Sequence, residues 1–389
     1  MRPARFRWCI PLALSIGWLG LAVQTAQLGR DRLRWTKLPD LPPTNGRPNP
    51  GVAGAFAGMS HGVLIVAGGA NFPNGYPWQG GTKVWHSTVY VLTKQRAGYG
   101  WQMAQPLGRA VGYGASAVWR DRLICVGGND ARRRYADVFT LTWHEPTRRV
   151  RTDSLPALPL PIANGAAAVA GDTLYAFGGE SDRGTERSLY ALSLRNPATG
   201  WQKRADLPGP ARAYTAMVAH TAGSISTLYA LGGRLSVGGK TTVFADGYVY
   251  MIGQNRWEHL PDLPTPLSAH GAVVSPDGAV WTIGGDTGER LVQIEQLNNQ
   301  IAGQSPGSLR DSLTEHRNAL QRDHPGFSRA VWSYRPRSRR WQKRAELPFT
   351  GAVTTPVVAV SGGFILPSGE VSPGVRTPAC RRVTWGIAD

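Results

Sequence analysis

The stretch DTLYAFGGES, Asp172 to Ser181, decides the fold. Leu174 to Phe177 make a short apolar run with the length and composition of one buried strand, and Gly178 and Gly179 end it. Two glycines there let the chain leave a sheet with torsions closed to other residues. The same figure stands at four more places: GVLIVAGGAN from Gly62, DRLICVGGND from Asp121, STLYALGGRL from Ser226 and GAVWTIGGDT from Gly278. The glycine pairs recur at roughly 50 to 60 residues, a spacing that means a repeated supersecondary unit.

A second pattern follows each pair. WQMAQPL, WQKRADLP, WEHLPDLP and WQKRAELP set Trp101, Trp201, Trp257 and Trp341 at the start of an outer strand, and a Leu-Pro or Pro-Leu exit closes it. In VRTDSLPALP, Val150 stands where the others have Trp. A large ring repeated at that place fits sheets stacked radially, with one Trp between neighbouring blades. Five units are complete. In the sixth, GAVTTPVVAVSGGFILPSGE, Ser368–Gly369 takes the place of the glycine pair, and the chain stops after one more strand, CRRVTW. The missing outer strand is RWTKLPDLP, Arg34 to Pro42, which has no blade before it. The expected architecture is therefore all-β: a six-bladed kelch-type propeller over 33–389, whose N-terminal strand completes the last blade and leaves no open edge. The fifth unit carries an insertion at about 291–325, low in glycine, expected to form one or two helices.

Composition agrees. The 389 residues are 42% hydrophobic and only 17% charged, too apolar for disorder, and 48 Gly with 29 Pro imply many turns between short strands. The formal net charge is +18, carried mostly by Arg. Runs such as ARRR (131–134) and RPRSRR (335–340) are short and read as solvated loops, so no nucleic-acid partner is expected. The positive field favours an anionic small molecule or a polyanionic surface. Arg2, Arg5 and Arg7 precede an apolar run from Trp8 to Val23, which reads as a signal peptide or N-terminal anchor over residues 1–26. The expected location is periplasmic or secreted, with no other membrane span. Cys125 and Cys380, the cysteines beyond Cys9, have no CxxC neighbour, and on count alone they allow one disulfide.

In a propeller the innermost strands and the loops leaving the glycine pairs border a central funnel. LPSGEVSPGVRTP, Leu366 to Pro378, is such a loop, and it holds Glu370 and Arg376 among residues too small to pack. Comparable places carry Asn71, Arg109 and Tyr113, Arg212 and Tyr214, and His270, all polar and chemically useful.

The chain resembles the N-acetylneuraminate epimerases, the bacterial sialic acid mutarotases. SGEVSPGVRT resembles that family's NGEAKPGLRT element, and GVAGAFAGMSHGVLIVAGGANF, Gly51 to Phe72, resembles a segment found late in the usual member. The order looks like that of the cyclically permuted mutarotase branch. The resemblance implies that Glu370 is the catalytic base and Arg376 its electrophilic partner, in a cofactor-independent isomerase. Mutarotation opens a cyclic hemiketal and recloses it on the other face of the carbonyl. One group takes the anomeric proton and another supports charge on the ring oxygen. Sialic acid, or a related sugar acid, also carries a carboxylate, for which Arg109 and Arg212 are the expected clamp, with Asn71, Tyr113 and His270 as further binding residues. A non-catalytic kelch propeller that binds a protein or glycan is the alternative. A copper oxidase is disfavoured because Cys125 and Cys380 have no ligand set beside them.

Overall fold

The computed structural model describes residues 33–44, 46–96 and 98–386, and the expected export segment at 1–26 lies outside them. Each unit is a four-stranded antiparallel sheet. In blade three the order is Ala166–Ala170, Thr173–Phe177, Leu189–Ser193 and Trp201–Lys203, from the axis outward. The innermost strand is nearly all alanine because six such strands crowd around one axis. The second strand is buried on both faces, which is why it reads as a continuous apolar run. Among the described residues six hydrophobic clusters form, one between each pair of neighbouring blades.

The repeated Trp and Leu have separate tasks. Each indole N–H donates to a carbonyl in the exit of the preceding blade: Trp101 to Pro39, Trp201 to Pro156 and Trp257 to Ala205 at 2.8 Å, and Trp341 to Pro261 at 2.9 Å. The exit leucines, among them Leu41, Leu158, Leu207, Leu263 and Leu347, are buried, and their N–H groups bond to the loop leading into their own third strand or its counterpart. A sheet edge in this fold is thus tied to its neighbour by an indole and plugged by a leucine.

The sixth blade closes as the sequence implies. Arg34–Leu38 pairs antiparallel with Cys380–Thr384, and Gly363–Pro367 and Val358–Val360 complete the sheet toward the axis. Trp35 packs edge-on against Phe349 of blade five, with ring centroids 5.4 Å apart. Ser368 replaces the first glycine, and its hydroxyl donates to the Val52 carbonyl (2.9 Å) and accepts from the Val52 N–H (2.8 Å), so a side chain links the last blade to the first. At Gly127 of blade two a side chain would not fit: a Cβ there would lie 2.3 Å from the Ile162 carbonyl of the next blade. Cys125 and Cys380 are both buried and free, in different inter-blade clusters.

The insertion in blade five forms two helices, α1 (Glu289–Ala302) and α2 (Ser308–Arg322). Asn299 of α1 donates to the Gly239 carbonyl at the tip of a hairpin of blade four, while α2 packs on the 3-10 turn Pro77–Gln79 of blade one. The pair therefore spans one end of the ring. No helix among the described residues is long and apolar enough to cross a membrane.

Deletion of residues 1–43 removes the strand that caps Cys380–Thr384. The expected outcome is aggregation on size-exclusion chromatography and loss of a cooperative thermal transition. A soluble truncation with an unchanged melting temperature would refute closure by this strand.

Candidate active site

At the mouth of the axial channel six backbone amides form a closed ring. Tyr113 N–H donates to Gly54 O, Asn164 to Tyr113, Tyr214 to Asn164, Ala269 to Tyr214, Thr354 to Ala269, and Gly54 back to Thr354, at 2.7 to 3.2 Å. All six residues have left-handed torsions, φ between 51° and 67°. The residue before each ring position makes a β-bridge to the residue that follows a glycine pair: Ala70, Asn129, Glu180, Arg234, Asp286 and Glu370. Four ring members, Tyr113, Tyr214, Ala269 and Thr354, and three of the flanking positions, Arg234, Asp286 and Glu370, contribute to the floor and walls of a cavity of about 340 Å3, within the roughly 300–1,000 Å3 usual for small-molecule sites. Leu291 and Ile294 from α1, Gln321 from α2 and His324 and Phe327 just beyond it supply the roof.

One wall is the hairpin that holds Glu370 and Arg376, which face each other across the pair. Arg376 Nη1 lies 3.2 Å from Glu370 Oε1, and Nη2 donates to the Tyr113 hydroxyl at 3.3 Å. The Arg376 side chain is 2% exposed and the Glu370 side chain 16%. The guanidinium also sits 4.7 Å over the Phe72 ring. The turn between them has a use of its own: Gly374 N–H donates to the same Glu370 oxygen at 2.7 Å. Gly374 is left-handed (φ 82°), and a Cβ there would meet Pro77 at 2.5 Å, so only glycine allows the loop to fold back onto its own carboxylate.

Further charged groups face this pair. Lys83 stands over the rings of Tyr113 (5.1 Å) and Trp85 (5.5 Å). Burial, followed by the charge of Arg376, lowers its pKa, against a smaller pull upward from Glu370. Arg234 lies 3.9 Å over the Tyr214 ring. Among the described residues no carboxylate comes within 4.0 Å of Lys83 or Arg234. Asp286 accepts from the Gly288 N–H at 2.8 Å, and burial raises its pKa. Burial also raises Tyr113 and Tyr214. Counting Lys83, Arg234 and Arg376 against Glu370 and Asp286, the cavity favours an anion even with both acids ionised.

The other residues singled out in the sequence lie elsewhere. Arg212 is fully buried and binds Asp246 through two bonds (2.6 and 2.9 Å), with a third to the Gly232 carbonyl. It occupies the place that Val52, Val111, Ile162 and Leu267 hold in other blades, where each carbonyl receives a glycine-pair N–H. Arg109 pairs with Asp137 at 2.7 Å and stacks on Tyr135. Asn71 is buried behind the cavity wall, bonded to the Gly51 carbonyl and to His86. His270 lines the axial channel below the ring rather than the cavity, and burial lowers its pKa to about 4. Among the residues singled out in the sequence, Glu370, Arg376, Tyr113 and Tyr214 thus meet in one cavity, and Lys83, Arg234 and Asp286 were not among them. The signal for two of these was present: GGR and GGD put Arg234 and Asp286 at the position that SGE gives Glu370. Among the described residues no three His, Cys, Asp or Glu side chains are placed to share a metal ion.

The sequence model described as N-acetylneuraminate epimerase matches residues 14–149 and 155–388. A protein of that name from Brucella melitensis biotype 1 is 31% identical over 261 residues, 65% of this chain and 64% of the relative's length. One from Salmonella enteritidis PT4 is 41% identical over 120 residues, 28% of this chain and 30% of that one. The solved structure of YjhT superposes with a TM-score of 0.62 at 15% identity, covering 90% of this chain and 97% of that one. The chain thus spans a little under two thirds of the Brucella relative it matches.

Replacing Arg212 with Ala leaves the half-buried Asp246 charge without its partner. Burial alone would raise that carboxyl, but the Arg212 hydrogen bonds and charge bring it below the ordinary range. The pair stabilises the fold above the unfolded carboxyl pKa, and its contribution disappears as pH falls through the lower folded value. Urea unfolding should show a loss of about 3 kcal/mol near neutrality, narrowing below about pH 4.

Proposed function

We propose, from the premise that the chain belongs to the N-acetylneuraminate epimerase family, that it interconverts the α and β anomers of N-acetylneuraminate or a closely related sugar acid. The observation that carries this reading is the Glu370–Arg376 pair, held inside a covered cavity that has two more cations, Lys83 and Arg234. In this reading Glu370 removes the proton of the anomeric hydroxyl, so that the carbonyl forms as the bond from the anomeric carbon to the ring oxygen breaks. Return of that proton after reclosure on the opposite face regenerates the enzyme, with no redox change and no group lost.

Arg376 has a different task. A guanidinium does not give up its proton in a protein, so it orients the Glu370 oxygen and lends positive potential. Tyr113, bonded to it, fixes the plane of the fork. The substrate carboxylate is assigned to Arg234 and Lys83, because Arg212 and Arg109 already hold Asp246 and Asp137. The apolar side of the cavity, Phe72, Leu291, Ile294 and Phe327, suits an acetyl methyl group. The site is proposed to work outside the cytoplasm, where the N-terminal segment would deliver it.

Proton NMR of freshly dissolved α-N-acetylneuraminate, corrected for the spontaneous rate, tests the reading. Glu370→Gln keeps the shape and should lower turnover roughly 10²–10⁴-fold with little change in analogue binding. Arg234→Ala should raise KM for the acid much more than for its methyl ester, with kcat less affected. Near wild-type turnover in the Gln variant would remove the chemical basis of the proposal.

A further inference from the structure

Ring opening leaves one requirement unmet by Glu370 and Arg376. The oxygen that leaves the anomeric carbon becomes an alkoxide unless it receives a proton as the bond breaks. Glu370 is then occupied with the hydroxyl proton, and Arg376 cannot deliver one. The cavity offers Lys83, Tyr113, Tyr214, His324 and Asp286. His324 accepts the Gly326 N–H at Nδ1 (3.0 Å), and burial lowers its pKa, so near neutrality it is a neutral ring with a poorly acidic N–H at Nε2. Burial makes both tyrosines weaker acids than usual.

Asp286 differs from all of these. It stands in blade five where Glu370 stands in blade six: one follows the Gly284–Gly285 pair and the other its Ser368–Gly369 counterpart, and each bridges to the residue before a ring position, Ser268 and Val353. The two carboxyl groups thus enter one cavity from adjacent blades. Their surroundings are unlike. Glu370 has a guanidinium at 3.2 Å and a backbone N–H on the same oxygen. Asp286 has one backbone N–H on Oδ1 and no cation within 4.0 Å among the described residues. Burial favours its neutral form, against weaker opposing effects of the Gly288 N–H, Arg234 and His324, while the Glu370 charge adds to the burial. Two acids in one site with surroundings of opposite kind is the arrangement that divides base from acid.

We propose that Asp286 is the proton donor of the reaction, delivering its carboxyl proton to the ring oxygen while Glu370 takes the proton of the anomeric hydroxyl. In this half-reaction the carbon–oxygen ring bond breaks, the carbonyl forms and one proton enters as another leaves. On reclosure the freed hydroxyl returns its proton to Asp286, and Glu370 protonates the carbonyl oxygen on the new face. The inference rests on the mutarotase reading above. It extends it by a second group that the sequence element around Glu370 does not contain.

The test compares Asp286→Asn, Asp286→Glu and Glu370→Gln in the full chain by NMR mutarotation across pH. A donor must be protonated, so wild-type kcat should fall as pH rises through the raised Asp286 pKa. The Asn variant should lose kcat roughly 10²-fold or more, keep KM within a few-fold and lose that alkaline fall, and the Glu variant should recover part of both. Lys83 titrates on the alkaline side as well, since its pKa is lowered by burial, so Lys83→Met should keep the fall if Asp286 is its source. Asp286→Asn with wild-type kcat, or with raised KM alone, would overturn the proposal, provided Glu370→Gln is inactive. Persistence of the alkaline fall in Asp286→Asn and its loss in Lys83→Met would assign the proton to Lys83 and overturn it equally. If Glu370→Gln itself turns over normally, the mutarotase reading fails first.

Discussion

Everything at the site depends on the closed ring of backbone hydrogen bonds at the channel mouth. An antiparallel blade can satisfy its own amides, but the residue where each chain enters its innermost strand faces five copies of itself. The solution is a circular N–H to carbonyl relay from one blade to the next, which forces left-handed torsions at all six positions. For Tyr113, Asn164, Tyr214, Ala269 and Thr354 that conformation costs about 1–2 kcal/mol each, comparable to what one hydrogen bond returns net. The ring therefore adds little stability of its own. It persists because the inter-blade apolar clusters over-determine it, and its product is orientation: two tyrosines are set at the cavity floor, and Arg234, Asp286 and Glu370 are fixed one step outward.

How far this was legible in the sequence follows from which constraints are local. A buried second strand, its glycine pair, the Trp that reaches back one blade and the plugging Leu each leave a short, repeated signature, so blade number and strand closure could be read directly. Glu370 and Arg376 could be read too, because their hairpin is one continuous segment. Arg212 could not. Its neighbours in sequence look like those of a funnel residue, but its position in the repeat is one that Val and Ile fill, and Asp246, which makes an arginine tolerable there, is 34 residues away in the chain. His270 shows the same effect by one residue: Ala269 is the ring member, so the imidazole falls on the channel side.

The roof adds a second kind of control. Without α1 and α2 the cavity would be an open bowl with charges facing water. Leu291, Ile294 and Phe327 lower the local polarity above Asp286 and Lys83, and burial is the leading cause of both displaced pKa values. An insertion that the other five blades lack thus helps to bury charged groups that the propeller positions. The expected insertion, at about 291–325, holds all of α2 and all but the first two residues of α1.

The strand at Arg34–Leu38 has a consequence in time as well as in space. In chain order it is the first of the described strands and its partner, Cys380–Thr384, is the last, so this blade gains its outer edge only when the two ends of the described fold meet. The Ser368 link to Val52 is delayed in the same way, as are the two final bonds of the amide ring, those that meet at Thr354. Early blades can collapse on their own apolar surfaces, but the hairpin at 370–376 gains its Tyr113 and Phe72 neighbours only when the circle shuts. An unclosed ring of this kind therefore lacks the cavity, whose walls come together in one late step rather than blade by blade.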